Sequence, residues 1–281
     1  MFEKLSFFAL AAMLAASCSK TETLVPVNVH VNDFLITIDT FSDTKATSPS
    51  NYSDITALTL AFYSGDTEVC KLTQTKGSTG YGTFSLALPM GSYTMVALGY
   101  YNMESSPLTL TSPTEASYTG LHALETFACT QAVNITSTSD VNIEATLDRI
   151  CSQLQVISTD GKSSNASKVK VTLSAGSRSF NPTTGLALDD DGFENTVGIS
   201  AAVGASSTSK TFLFLSSAEE TMDVTIDVLD ADGVSISHKV VQDVPFRRNR
   251  LTRLTGSVYS ADAGASFQLN TEWLTETTVN F

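Results

Sequence analysis

The sequence predicts an all-β protein built as two tandem β-sandwiches. Three observations carry this. Nearly every apolar segment of the 281-residue chain alternates with period two, as in Val25, Val27, Val29 and Val31, the spacing of a strand with one buried face. Clusters of Gly, Pro, Asn and Asp punctuate these segments at roughly ten-residue intervals, the rhythm of sandwich folds. No apolar pattern of helical period runs beyond about two turns.

Residues 25–31 form the first strand. The phase slips at Asn32-Asp33 and continues on even numbers with Phe34, Ile36 and Ile38, so a bulge or a break belongs there. Leu58, Leu60 and Phe62 mark the next strand. Phe84, Leu86 and Leu88 mark another, which ends in a turn at 89–93 before a strand over 94–100. Residues 101–128 hold Pro107, Pro113, Gly120 and many Ser and Thr. They read as a loop-rich excursion with a short helical turn near 121–125. Strands resume over 132–135 and 141–147.

The second half starts with Leu154 and Val156, turns at Asp160-Gly161 and continues through Val169, Val171 and Leu173. A loop carries Pro182, Gly185 and the acids 189–191. Residues 212–215 are apolar on both faces, as in a buried strand. Val224, Ile226 and Val228 face Val234, Ile236 and Val240 across Asp230-Ala231-Asp232-Gly233, the clearest hairpin of the chain. Strands over 251–258 and 265–281 finish it. About seven strands fall on each side of residue 147, which gives sandwiches over 25–147 and 148–281. One larger sandwich is the alternative.

Composition excludes several function classes. The net charge is −13 with only 16 Lys and Arg, whereas a nucleic-acid binder needs a basic surface. His30, His122 and His238 are scattered, and no HExxH, CxxC or GxSxG occurs, so the chain reads as a non-enzyme with no cofactor and no metal site. Residues 77–82 lack the Lys-Ser/Thr of a phosphate loop and read as a hairpin tip. Asp189-Asp190-Asp191 do not space their oxygens as a calcium loop does and read as a solvated loop. Arg247, Arg248, Arg250 and Arg253 are four of six arginines. They read as outward residues offsetting an acidic surface, with a patch for acidic glycans as the alternative. Cys70, Cys129 and Cys151 read as small buried thiols, with a Cys70–Cys129 bridge as the alternative.

Both ends are informative. Residues 1–4 carry one lysine, 5–16 are almost wholly apolar, and Leu14-Ala15-Ala16-Ser17-Cys18 closes the run. That is a secretory signal over 1–17, too short for a permanent membrane helix. At the other end Phe267, Leu269, Trp273, Val279 and Phe281 all fall on odd positions. Burying five such side chains is worth on the order of 8–15 kcal/mol, and exposing them on an open edge invites aggregation. The tail therefore needs a groove, either in its own subunit or as a donor strand in a neighbour's.

The small residues before Cys18 resemble the lipobox of bacterial lipoproteins. That likeness implies cleavage before Cys18, diacylation of its thiol and a lipidated tether over 18–24; two acyl chains suffice for a stable anchor. Further along come Leu88-Pro89-Met90-Gly91-Ser92-Tyr93, Leu147-Asp148-Arg149, the run Val244-Pro245-Phe246-Arg247-Arg248-Asn249-Arg250-Leu251, and the tail with Trp273. In that order, and over essentially the whole mature chain, these pieces resemble the fimbrillin and fimbrial-anchor lipoproteins of Bacteroidales, the subunits of type V pili.

The resemblance implies two transthyretin-like β-sandwiches and export to the outer membrane. Its implied partners are other fimbrial subunits, joined by β-strand addition, and a host or bacterial surface ligand. In stalk subunits of that family an arginine-specific protease removes the N-terminal strand; anchor subunits keep it. Here the first arginine is Arg149, so the usual cleavage site is missing and Lys45 is the nearest candidate processing site. An anchor-type subunit that retains Val25, Val27, Val29 and Val31 as its candidate exchange strand is favoured over a stalk pilin. The alternative function is a lipid-anchored glycan-binding or adhesion module, with Tyr100, Tyr101 and Tyr118 as its candidate aromatic contacts.

Overall fold

The computed structural model describes residues 23–31, 55–260 and, for the backbone, 268–270. These residues are all β, with no helix among them. In chain order the strands up to residue 145 are β1 (Leu24–Val31), β2 (Ala57–Ser64), β3 (Thr67–Thr75), β4 (Thr83–Pro89), β5 (Gly91–Tyr100), β6 (Leu108–Ser112), β7 (Glu115–Tyr118), β8 (Thr126–Ile135) and β9 (Val141–Ala145). They continue with β10 (Asp148–Arg149), β11 (Ser152–Ser158), β12 (Lys168–Leu173), β13 (Ser179–Asn181), β14 (Leu186–Ala187), β15 (Phe193–Gly198), β16 (Thr208–Leu213), β17 (Glu219–Leu229), β18 (Ser235–Arg247), β19 (Leu251–Gly256) and β20 (Gln268–Asn270).

The alternation of β1 is the simplest route from sequence to packing. Its odd-numbered valines are at most 3% exposed, while Leu24, Pro26 and His30 face outward. β1 lies at the centre of the sheet β4-β1-β9. The valines pack with Leu58, Leu60, Phe62, Met95 and Phe127 of the second sheet, β10-β8-β5-β2-β3, in one hydrophobic cluster. Proline is unusual in a central strand because it cannot donate to the ladder. Pro26 is tolerated because pairing with β4 runs from Leu24 but pairing with β9 begins only at Val27.

The second half repeats this plan. β1 is antiparallel to β4 and parallel to β9; β11 is antiparallel to β16 and parallel to β19. The order β3-β2-β5-β8 recurs as β15-β12-β17-β18. Leu154 and Val156 of β11 share a cluster with Val169, Val171, Val224 and Ile226 of that facing sheet. β20 adds to the free side of β19.

Several expectations need correction. Residues 101–128 are not mainly loop: they hold β6, β7 and the start of β8, and β7 pairs with β13 across residue 147. Residues 121–125 form no helix; Ala123 makes an isolated bridge to Phe212. The cause is that β2, β5 and β8 bury both faces. Ala57, Ala61, Tyr63, Val96 and Leu98 point away from the β1 cluster into the one that fills the second half, so short Ser/Thr-rich strands suffice to cover them. The β17–β18 hairpin forms, but Val224 faces Val241 and Val228 faces Ser237. A bulge beside Met222, where Asp243 takes φ 53°, shifts the register and leaves Val240 53% exposed.

Candidate functional site

The groove that holds β1 is the best-formed candidate for strand exchange. Val25, Val27 and Val29 stand opposite Leu88, Leu86 and Phe84 of β4. On the other side Val27, Val29 and Val31 stand opposite Val141, Ile143 and Ala145 of β9. Val31 N–H donates to Gly82 O at 2.8 Å. Outward polar residues fix the register: Ser85 donates to Asn28 Oδ1 at 3.0 Å, Asn28 Nδ2 donates to Asn142 Oδ1 at 3.2 Å, and His30 Nδ1 lies 3.1 Å from Thr83 Oγ1. A strand between an antiparallel and a parallel neighbour supplies ladder bonds on both sides. Its removal bares two edges and a wall of apolar side chains, Phe62, Phe84 and Phe127 among them.

β1 and β11 occupy equivalent places but are tied differently. Residues 148–158 run almost directly from β10 into β11, and Ile150 N–H and Gln153 N–H are bonded to Thr126 O and Arg250 O. The link from β1 to β2 runs through residues 32–54, which lie outside the described residues, as does the predicted strand at Phe34, Ile36 and Ile38. Cys18 and Lys45 also lie outside them. Of the tail residues only Leu269 is described, its backbone opposite Leu254 of the same chain; Phe267, Trp273, Val279 and Phe281 are not.

The aromatic platform of the alternative reading does not assemble. Tyr100 and Tyr118 are 6% and 4% exposed, and the Tyr118 hydroxyl is 2.7 Å from Thr126 Oγ1. Burial pushes that hydroxyl well above its usual pKa. Only Tyr101 of the three is exposed. The three cysteines are free, Cys151 fully buried and the other two half-buried. Asp190 accepts Gly176 N–H at 2.6 Å, so one of the three loop acids ties its loop to the turn that follows β12.

The four arginines of the run lie on the outside as expected, Arg247 and Arg248 exposed and Arg250 and Arg253 half-buried, but three of them converge. Arg247, Arg248 and Arg250 share a cleft of about 910 Å³ with Arg149; Arg253 stands apart on β19, donating to Gln155 Oε1 at 3.2 Å. The cleft is bounded by β8, residues 146–150, the loop 182–185 and the turn 247–250. In that turn Arg250 N–H donates to Arg247 O at 3.1 Å and Asn249 takes φ 58°, a left-handed position that asparagine tolerates better than most residues. Arg149 forms the inner wall, 4% exposed, with Nη2 2.8 Å from Glu125 Oε1 and Nη1 donating to Asn249 Oδ1 at 3.2 Å. The run Arg247-Arg248-Asn249-Arg250 was the available sequence signal; the opposite walls, distant in sequence, were not visible in it.

A family model described as a family of unknown function (DUF6562) matches residues 59–280. No curated protein matches the chain. Among solved structures, a candidate adhesin from Bacteroides ovatus is similar with a TM-score of 0.51 at 10% identity, covering 90% of this chain and 98% of its own. A candidate polysaccharide-binding protein (DUF1812) from Bacteroides thetaiotaomicron gives 0.51 at 12%, covering 89% and 96%. The fimbrial anchor protein Mfa2 from Porphyromonas gingivalis gives 0.49 at 12%, covering 88% and 97%. At these identities the likeness is one of fold.

Proposed function

The chain belongs to the family of unknown function DUF6562, and we propose that it is a cell-surface fimbrial subunit of anchor type, held to the outer membrane by lipid on Cys18 and joined to neighbouring subunits by β-strand exchange. The observation that carries this reading is β1: an N-terminal strand with four buried valines, inserted between β4 and β9, and equivalent in position to β11. Its place has the geometry that strand addition would use, ladder bonds for affinity and alternate pockets for register; with β1 retained this subunit's own groove stays filled, and joining a neighbour falls to the tail over 267–281. Cys18 precedes Leu24 by six residues. A tether of that length spans at most about 20 Å, so a retained β1 would hold the first sandwich against the membrane. The acidic chain suits an exposed, soluble exterior.

The test is mass spectrometry of the protein recovered from outer membranes, paired with deletion of residues 267–281. An acylated N-terminus at Cys18 on a chain that keeps β1, with loss of partner association in the deletion, is the expected result. A new N-terminus after Lys45 makes the chain a stalk subunit. A Cys18→Ala protein that stays membrane-bound, or a deletion that leaves partner association intact, overturns the reading.

A further inference from the structure

We propose that the arginine cleft between the two halves binds a short saccharide through an isolated anionic group, a carboxylate or a sulfate. The charge contrast is the first reason. The chain carries a net charge of −13 and six arginines, and four of the six meet at this cleft with Asp148; Arg149 is taken up by Glu125 and Arg247 pairs with Glu219, so Arg248 and Arg250 are the first partners for a ligand anion. Guanidinium groups bind planar oxyanions through paired N–H donors.

The cleft is also built rather than incidental. Arg248 is exposed and donates to Thr184 O at 2.8 Å, which fixes its head at the mouth. Gly185, at φ 69°, lets the loop close on it: a Cβ there would stand 3.2 Å from Arg248 Nη1 and 2.8 Å from Ile150 Cγ2. The loop itself is braced by Asn181 Oδ1, which accepts from Thr183 N–H at 2.8 Å and Thr184 N–H at 3.3 Å. Thr130 Oγ1 donates to Pro182 O at 3.3 Å across the wall. Arg247 is engaged by Glu219 at 2.8 Å, but both side chains are about half exposed or more, and such a pair is weak enough for a ligand anion to compete with.

The lining selects the ligand class. Apart from the arginines it presents four threonines and Asn249, with Ala128, Cys129, Ile150 and Pro182 as its apolar residues and no aromatic side chain. The hydroxyls and the amide suit a sugar's hydroxyls beside an anion. A long polyanion is disfavoured by the acidic molecule around the cleft. The volume lies at the upper end of small-ligand sites, roughly 300–1,000 Å³. This inference does not depend on strand exchange.

The test is calorimetric titration of the full mature chain with sialyllactose, with lactose sulfate and with lactose. The acidic sugars are expected to bind roughly tenfold or more tightly than lactose, and the two arms separate carboxylate from sulfate recognition. Arg248→Gln and Arg250→Gln should each weaken binding by about tenfold, while Arg253→Gln, which removes the same charge outside the cleft, leaves it unchanged. Affinity should fall as ionic strength rises from about 0.01 to 1 M. Equal binding of lactose and the acidic sugars, no binding of any sugar, a loss equal in all three variants, or equal binding of an oligoglutamate peptide would each overturn the proposal.

Discussion

Arg149 and Glu125 form an ion pair 2.8 Å long with side chains 4% and 14% exposed, joining the strand that opens the second half to the end of the 101–128 excursion. Arg149 also lies over the Phe127 ring, 4.9 Å from its centroid. A charge so enclosed is tolerable only with its partner. Removing one member of such a pair costs about 3–5 kcal/mol, whereas replacing both by apolar residues of similar size is often near neutral. Arg149→Met and Glu125→Leu should each destabilise strongly, and the double variant should recover most of the loss. Urea denaturation of the four proteins measures the coupling.

The valines of β1 supply a second prediction. Val29 is fully buried and Leu24 is 58% exposed. Val29→Ala removes about two methylene equivalents at roughly 0.8 kcal/mol each and leaves a cavity, for a total near 2–3 kcal/mol. Leu24→Ala should stay within about 0.5 kcal/mol. If β1 is exchangeable, a protein cut by an inserted protease site between residues 36 and 50 should take up a labelled 19–31 peptide, and Val29→Asp in that peptide should abolish uptake. Equal uptake of both peptides would show that the groove does not read β1.

The sequence made strands legible where one face is buried and the other wet. β1, β4 and β12 follow their alternation almost residue by residue. It failed where that contrast vanishes. β3 is an edge strand with no fully buried residue, so its apolar alternation is too weak to mark it. β6 and β7 are short strands that cover a face of β2 and β5 already apolar for another reason. The hairpin register hinged on a bulge at Asp223 and Asp243, where Asp243 N–H donates to Asp223 Oδ1 at 3.0 Å, a local contact that periodicity does not report. The candidate groove was half legible: its strand was plain in Val25–Val31, while its partners β4 and β9 were strands without known neighbours. The arginine cleft needed four segments brought together by tertiary packing.

Two carboxyls should give opposite pH signatures. Asp160 accepts from Val258, Tyr259 and Ser260 N–H and from the Ser257 hydroxyl at 2.7–2.9 Å. Burial pushes its pKa up, but these four bonds together outweigh that and hold it below the usual value. The stability it contributes is present above the unfolded pKa near 3.9 and is lost as pH falls through the lower folded value. Asp160→Asn should therefore cost about 1–3 kcal/mol at pH 7, with the gap closing below about pH 4. Glu220 is pushed up by burial first and then by its contact with Asp190, so its contribution is present at low pH and lost as pH rises. Glu220→Gln keeps an acceptor for Ser216 N–H and should raise the melting temperature at pH 7, with no gain below about pH 4. Thermal melts across pH 3–8 check both signs.

Thiol reactivity supplies the last test, because it reports on the interior between the halves. Burial, then the nearby Glu125 charge, pushes the Cys151 thiol up to about 12, and Arg149 only partly offsets this. Cys70 and Cys129 are raised too, mainly by burial, but both are half-buried rather than enclosed. At pH 8 the thiolate fraction of Cys151 should be roughly a thousandfold below that of a free cysteine. Alkylation followed by peptide mapping should find Cys70 and Cys129 modified while Cys151 stays intact, and all three modified together in urea. In Arg149→Met the charge that lowers the Cys151 thiol is gone, yet its modification should become faster, because opening of the weakened junction, not ionisation, then sets the rate. Slower modification of Cys151 in that variant would mean that Arg149 acts on the thiol through charge alone and does not hold the two halves closed.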